Sequence, residues 1–246
     1  MDVIKVNNIS KEYNLEKGGC LKVLDNLSFT IPRSSVTGII GQSGCGKTTL
    51  LEIIAGLQSP TTGDVCIEDG IIPFVIFQQY NKALFPYLNI EQNVEIALKK
   101  NNKRKEKSLE ALRIVGLEKF SKYYPWQLSG GMQQRVCVAR ALAVKSPVIL
   151  LDEPFSSLDS FSKYKLEDDL LKIIRQFRIT CLYVTHDIDS AIYFSDRILI
   201  LHRHPTYIIS DFQINLGDAR SQIETKKSDE FLMYREDAYG MLFNNE

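Results

Sequence analysis

The stretch SVTGIIGQSGCGKTTLLEIIAGL, residues 35–57, decides the fold. Its first six residues are small or apolar and read as a strand. Its last ten place Leu50, Leu51, Ile54 and Leu57 at helical spacing. Between them, Gly41, Gln42, Ser43, Gly44, Cys45, Gly46, Lys47 and Thr48 fit G-x-x-x-x-G-K-[ST] in full. Strand, glycine turn and helix is the order that a phosphate-binding loop requires. Glycines let the backbone wrap so that its N–H groups converge on phosphate oxygens, and the helix N-terminus adds its dipole. Lys47 is expected to reach the β- and γ-phosphates and the Thr48 hydroxyl to bind Mg²⁺, with Thr49 beside it in the cradle. Thiols at helix N-termini acidify, but Cys45 reads as a small residue at a tolerant position rather than a redox handle.

Downstream, PVILLDEP (147–154) is a continuous apolar run ending in two acids, the pattern of a strand buried on both faces of a parallel sheet. Asp152 at its end suits Mg²⁺ coordination. Glu153 is placed to orient or deprotonate a water attacking the γ-phosphate. ITCLYVTHD and RILILH repeat the same strand type. His186 in the former should fall on the sheet edge where α/β proteins place ligands. IIPFVIFQQ (71–79) reads as a further buried strand, and DVIKVNNIS and LKVLDNLSFTI alternate like half-exposed strands. SPTTGDVCIED looks like turn and strand. Strands alternating with helices predict a mainly parallel sheet flanked by helices. From Asn89 to Ser121 the pattern is helical and polar. After LSGG, Met132, Val136, Ala139 and Ala143 share one helical face. The tail from Asp211 reads as strand plus helix packed on the core.

The bulk numbers bound the class. The 246 residues fit one large α/β domain or a core with a subdomain. Thirty basic residues balance thirty acidic ones, so no overall field argues for a nucleic-acid partner. The run KKNNKRKEK (99–107), uninterrupted by aromatics, reads as a solvated face rather than a patch for anionic lipid or nucleic acid. Five scattered cysteines, with no C-x-x-C pair, argue for a reducing compartment and against a zinc knuckle. His202 and His204 form H-x-H without further ligands and read as surface residues. The opening MDVIKVNNIS lacks the basic start and apolar run of a signal peptide, and no apolar run approaches a membrane span. The sequon at Asn8 is therefore read as chance.

A second glycine motif, LSGGMQQR (128–135), sets Ser129, Gly130 and Gly131 at a helix start, again suited to a phosphate. Together and in this order, these pieces resemble the ATP-binding cassette ATPases. The likeness covers almost the whole chain. It implies a P-loop NTPase core with a mainly parallel sheet, an N-terminal antiparallel β subdomain and an inserted α-helical subdomain at about 84–145, all in one domain of 246 residues. It further implies that Tyr13 stacks on adenine and that Gln78 reaches Mg²⁺ and the attacking water. Glu153 would be the catalytic carboxylate, His186 the switch histidine, and Asp159 part of the loop at a dimer interface. LSGGMQQR would face ATP held by a second ATPase subunit, most simply an identical one.

Within that family, LSGGMQQR, DEPFSSLD, VTHDIDSAIYFSDRILIL and HRHP look most like the ATPases of nitrate, sulfonate and taurine importers. Ser156-Ser157 and Tyr87 depart from residues common in that group. The resemblance implies membrane permease subunits as partners, a solute-binding protein reached through them, and a place on the cytoplasmic face of the membrane. No nucleic-acid partner is expected. An exporter ATPase, a non-transport cassette protein and a P-loop kinase are the competing readings; the last leaves LSGGMQQR and His186 without a role. LFPYLN (84–89) would receive a permease helix, with Phe85 and Tyr87 either exposed anchors or core residues. The sixty residues after His186 are expected to hold no added sensory domain.

Overall fold

In the computed structural model, residues 1–15, 18–100, 102–203 and 205–243 are described, without the side chains of Tyr80 and Asn81. Its first layer is antiparallel. β1 (Asp2–Asn14) lies between β2 (Cys20–Pro32) and β4 (Thr62–Ile67). Ile4, Val6 and Ile9 of β1 are buried and Lys5, Asn7 and Asn8 exposed, so one face of this sheet is apolar.

The second layer is a six-stranded sheet in the order β5 (Phe74–Ile76), β6 (Val148–Asp152), β7 (Thr180–Thr185), β3 (Val36–Ile40), β8 (Arg197–Leu201), β9 (Ile208–Gln213). All its pairings are parallel except β8 with β9. The apolar runs at β6 and β7 are buried at every residue. Alternate residues go to opposite faces, as a period of two demands. Ile39, Leu150, Leu182, Val184 and Leu199 join the core shared with the antiparallel layer and α1 (Lys47–Ile54). Ile40, Leu151, Tyr183 and Ile198 join the larger core under the other helices.

Two expectations are corrected here. The helix after the glycine loop stops at Ile54 instead of continuing to Leu57, which is 62% exposed. Gly56 has φ +72°, its N–H bonds to Ile53 C=O at 3.0 Å and Leu57 N–H bonds to Glu52 C=O at 2.9 Å. That pair of bonds is a Schellman stop. The strand at 71–79 is only three residues long and lies at the sheet edge, with Ile76 buried and Phe74 and Val75 half-buried.

Between β5 and β6 the chain is helical: α2 (Tyr80–Ala83), α3 (Ile90–Glu95), α4 (Arg104–Ile114) and α5 (Gly130–Ala143), with 3₁₀ turns before α5. The side chain of Asn89 caps α3 in a capping box with Gln92. Most of the basic stretch at 99–107 is exposed. α6 (Ser160–Gln176), α7 (Ile188–Phe194), α8 (Glu224–Lys227) and α9 (Asp229–Phe243) complete the fold, and Phe231 and Ala238 bury the tail in the larger core. Among the described residues no helix is long and apolar enough to cross a membrane.

A buried arginine stitches this helical insertion together. Arg140 on α5 donates to Ala83 C=O (2.6 Å), to Asn93 C=O (2.7 Å) and to Asn93 Oδ1 (2.7 Å). Asn93 in turn donates to the carbonyls of Phe85, Leu88 and Asn89. Burial lowers the guanidinium pKa, yet carbonyl partners replace the missing carboxylate. The network fixes LFPYLN, leaving Phe85 half-buried beneath Arg140 and Tyr87 71% exposed. Arg140→Leu removes the donor to Ala83 C=O and Asn93 C=O and leaves Asn93 Oδ1 with Phe85 N–H alone, and is expected to cost about 2–3 kcal/mol in urea unfolding at unchanged m-value.

Candidate functional site

The parallel strands deliver their chemistry to one sheet edge. β3 ends at the glycine loop, β6 at Asp152, β7 just before His186, and β5 just before Gln78. There a cavity of about 720 Å³ is lined by Ser43, Gly44, Gly46, Lys47, Thr48, Thr49, Gln78, Glu153 and His186, all anticipated from sequence. Leu21, Val23, Ser156 and Ser157 complete its wall.

The cradle is built by close packing. Gly46 has φ +100°, and a Cβ there would meet Val23 at 2.7 Å. A Cβ at Gly41 would meet the Cys45 sulfur, also at 2.7 Å. The Thr206 hydroxyl, buried, donates to Cys45 C=O, while Thr206 N–H bonds to Val23 C=O at 3.0 Å. The loop is thereby braced from behind by both sheets. Cys45 itself is fully buried and desolvation pushes its thiol pKa up, the reverse of a reactive thiolate.

The charged groups converge within this cradle. Lys47 Nζ, almost fully buried, donates to Gly41 C=O (2.7 Å) and Gln42 C=O (3.0 Å) and lies 3.9 Å from Glu153 Oε1. Thr48 Oγ1 donates to Asp152 Oδ2 at 3.0 Å. Burial raises the Asp152 pKa against the lowering effect of that hydrogen bond. Glu153 sits at φ +43°, its N–H bonded to Val184 C=O at 2.9 Å. This left-handed turn at the strand end points it away from its neighbour's direction. With Nδ1 carrying the proton, His186 donates to Glu153 Oε2 at 2.8 Å. Gln78 Nε2 donates to Ser156 Oγ (3.3 Å), and that hydroxyl donates to Glu153 C=O (3.0 Å). Ammonium, hydroxyl, backbone N–H groups and two carboxylates suit a polyphosphate with a hard divalent cation.

Other expected residues lie elsewhere. Asp152 stands behind the lining, reaching it through Thr48. Gly41 and Gln42 line an adjoining cavity that shares His186. Tyr13, expected under adenine, does not line the cavity; its hydroxyl donates to Gln58 Oε1 at 2.6 Å and Lys11 stands over its ring. The apolar wall beside the cradle is Leu21 and Val23 instead. Ser129 caps α5, accepting from Met132 N–H at 3.4 Å, and with Gly130 and Gly131 it also stays out of the cavity. Asp159 caps α6, accepting from Ser162 N–H at 3.0 Å. His202 stacks on Tyr207 at 4.6 Å. His204 lies outside the described residues. Sequence reasoning missed Leu21, Val23 and Thr206, which carry no motif and reach the cavity wall or the loop only through the fold.

Comparison with known proteins follows the same lines. The family described as ABC transporter matches residues 24–156. An ABC transporter ATP-binding protein of Methanocaldococcus jannaschii is 39% identical over 249 residues, spanning 97% of this chain and 91% of that protein. An aliphatic sulfonates import ATP-binding protein of Bacillus anthracis is 41% identical over 226 residues, 89% of each. A solved dimeric ATP-binding cassette, in a post-hydrolysis state bound to ADP and Pi, superposes with TM-score 0.73 at 33% identity. It covers 86% of this chain and 99% of that one.

Proposed function

Because the chain belongs to the ABC transporter family of ATP-binding cassettes, we propose that it is the ATP-hydrolysing subunit that energises a membrane importer of a small anion. One observation carries the chemistry: Glu153 is held between Lys47 and His186 at the mouth of the glycine cradle. In this reading the cradle N–H groups and Lys47 hold the phosphates. Glu153 accepts the proton of the attacking water, and His186 keeps that carboxylate aimed. Mg²⁺, when bound, would neutralise phosphate charge; Thr48, Asp152 and Gln78 are the residues that would hold it.

The same reading makes the working unit a pair of identical chains. LSGGMQQR stands outside its own cradle and is free to face a partner's nucleotide. The pair would sit on the cytoplasmic face of the membrane, docked to separate permease subunits through the exposed Tyr87 region, with a solute-binding protein reached only through them. The sulfonate-import relative makes sulfonates, including taurine, the first solutes to test and nitrate the next. Vesicles reconstituted with this chain, its co-purifying permease and the solute-binding protein are expected to accumulate sulfonate only with ATP. ATP-driven efflux, or no transport of any anion, would overturn the importer assignment.

A further inference from the structure

One ion pair ties the helix after the interface loop to the switch histidine. Asp159 caps α6, and its carbonyl accepts from Lys163 N–H at 2.9 Å. Lys163 Nζ then crosses to α7, donating to Asp187 Oδ2 at 2.6 Å and lying 3.9 Å from Glu167 Oε1. Asp187 is itself fixed: Oδ1 accepts from Ser190 N–H at 2.8 Å, and its own N–H donates to Thr185 Oγ1 at 3.1 Å. Burial pushes the Asp187 carboxyl up, but hydrogen bonds from Lys163 and Ser190 and the charge of Lys163 hold it below its ordinary value. Exposed ion pairs contribute little. The Lys163 side chain is 17% and that of Asp187 38% exposed, and what sets the pair apart is its place: Asp187 directly follows the histidine that contacts Glu153.

We propose that Lys163 is a positioning residue for hydrolysis: through Asp187 it fixes His186, and with it the aim of Glu153. The proposal rests on Glu153 and His186 being the hydrolytic pair. The first-turn helical bond from Lys163 N–H to Asp159 C=O places this ion pair one turn from the loop expected at the dimer interface.

A double-mutant cycle on the full-length chain tests this. Lys163→Met keeps the stem and removes the charge, while Asp187→Asn keeps a capping side chain and removes the ion pair. Each is expected to lower kcat about tenfold, with KM for ATP and Tm little changed. The double variant should be no slower than either single one, because the two act as a unit. Lys163→Arg should recover most of the rate. Losses that multiply in the double variant would overturn the proposal, as would effects confined to KM or Tm. If Glu153→Gln is inactive while both single variants turn over at full rate, the proposal alone falls. If Glu153→Gln turns over normally, the hydrolytic pair falls and Lys163 falls with it.

Discussion

Glu153→Gln is expected to bind ATP as the parent chain does and to hydrolyse it about 10²–10⁴-fold more slowly. The reason lies in what the substitution keeps. Glu153 is held at φ +43° by backbone bonds, from its own N–H to Val184 C=O and from Ser156 N–H to its C=O. Such a conformation persists only where the surroundings over-determine it. An amide of the same shape inherits that position, so Lys47, Thr48 and the glycine backbone stay in place to hold phosphate. What disappears is the basic carboxylate that can take a proton from the attacking water, and with it the negative charge facing His186 and Lys47. Calorimetric ATP titration and phosphate-release kinetics on the same sample check both halves. Turnover near the parent rate would remove Glu153 from the chemistry. Lost binding would instead place it in the cradle, as a partner of Lys47.

Which of these features the sequence could disclose follows from how each is encoded. A phosphate cradle is local: Gly41–Thr48 needs its glycines and lysine at fixed offsets, and its neighbours in sequence supply the strand and helix. The strands β6 and β7 are legible because burial on both faces leaves no exposed position, and apolar residues fill nearly all of their interiors. Sheet order is not, since an apolar run says nothing about which run lies beside it. Leu57 shows periodicity overrunning a real stop: the glycine at position 56 ends the helix, and a leucine one step later still falls on the apolar phase by coincidence. Leu21, Val23 and Thr206 are harder still. Leu21 and Val23 reach the cavity from the antiparallel layer, Val23 standing where a Cβ at Gly46 would meet it, and Thr206 reaches Cys45 C=O from beyond β8. Tyr13 is the converse case, an expectation carried by resemblance whose side chain is engaged with Gln58.

The helix start at Ser129 supports the second large effect. α5 runs for 14 residues from Gly130, so its N-terminus presents free N–H groups and the positive end of a dipole. A Cβ at Gly131 would meet nothing within 4 Å, which leaves room for a ligand to approach. Yet none of these groups lines the cavity that holds Lys47. In the shared-site reading proposed above, each cradle would be completed by the other chain's helix start. Ser129→Arg then fills the approach with a bulky cation, and Lys47→Ala removes the phosphate ligand, so either homodimer is expected to be inactive. In a mixed dimer the two defects fall on the same composite site. The other combines an intact Lys47 with an intact Ser129. If the two sites work independently, an equimolar mixture should recover about one quarter of the parent ATPase rate, since half its dimers carry one whole site. Isolating the tagged heterodimer before assay removes the dilution. An inactive heterodimer that still binds ATP would count against the shared site, since a Ser129 serving its own chain's cradle would leave both sites dead. A heterodimer unable to bind ATP at all would refute the shared site and return Ser129 to the simpler role of capping its own helix.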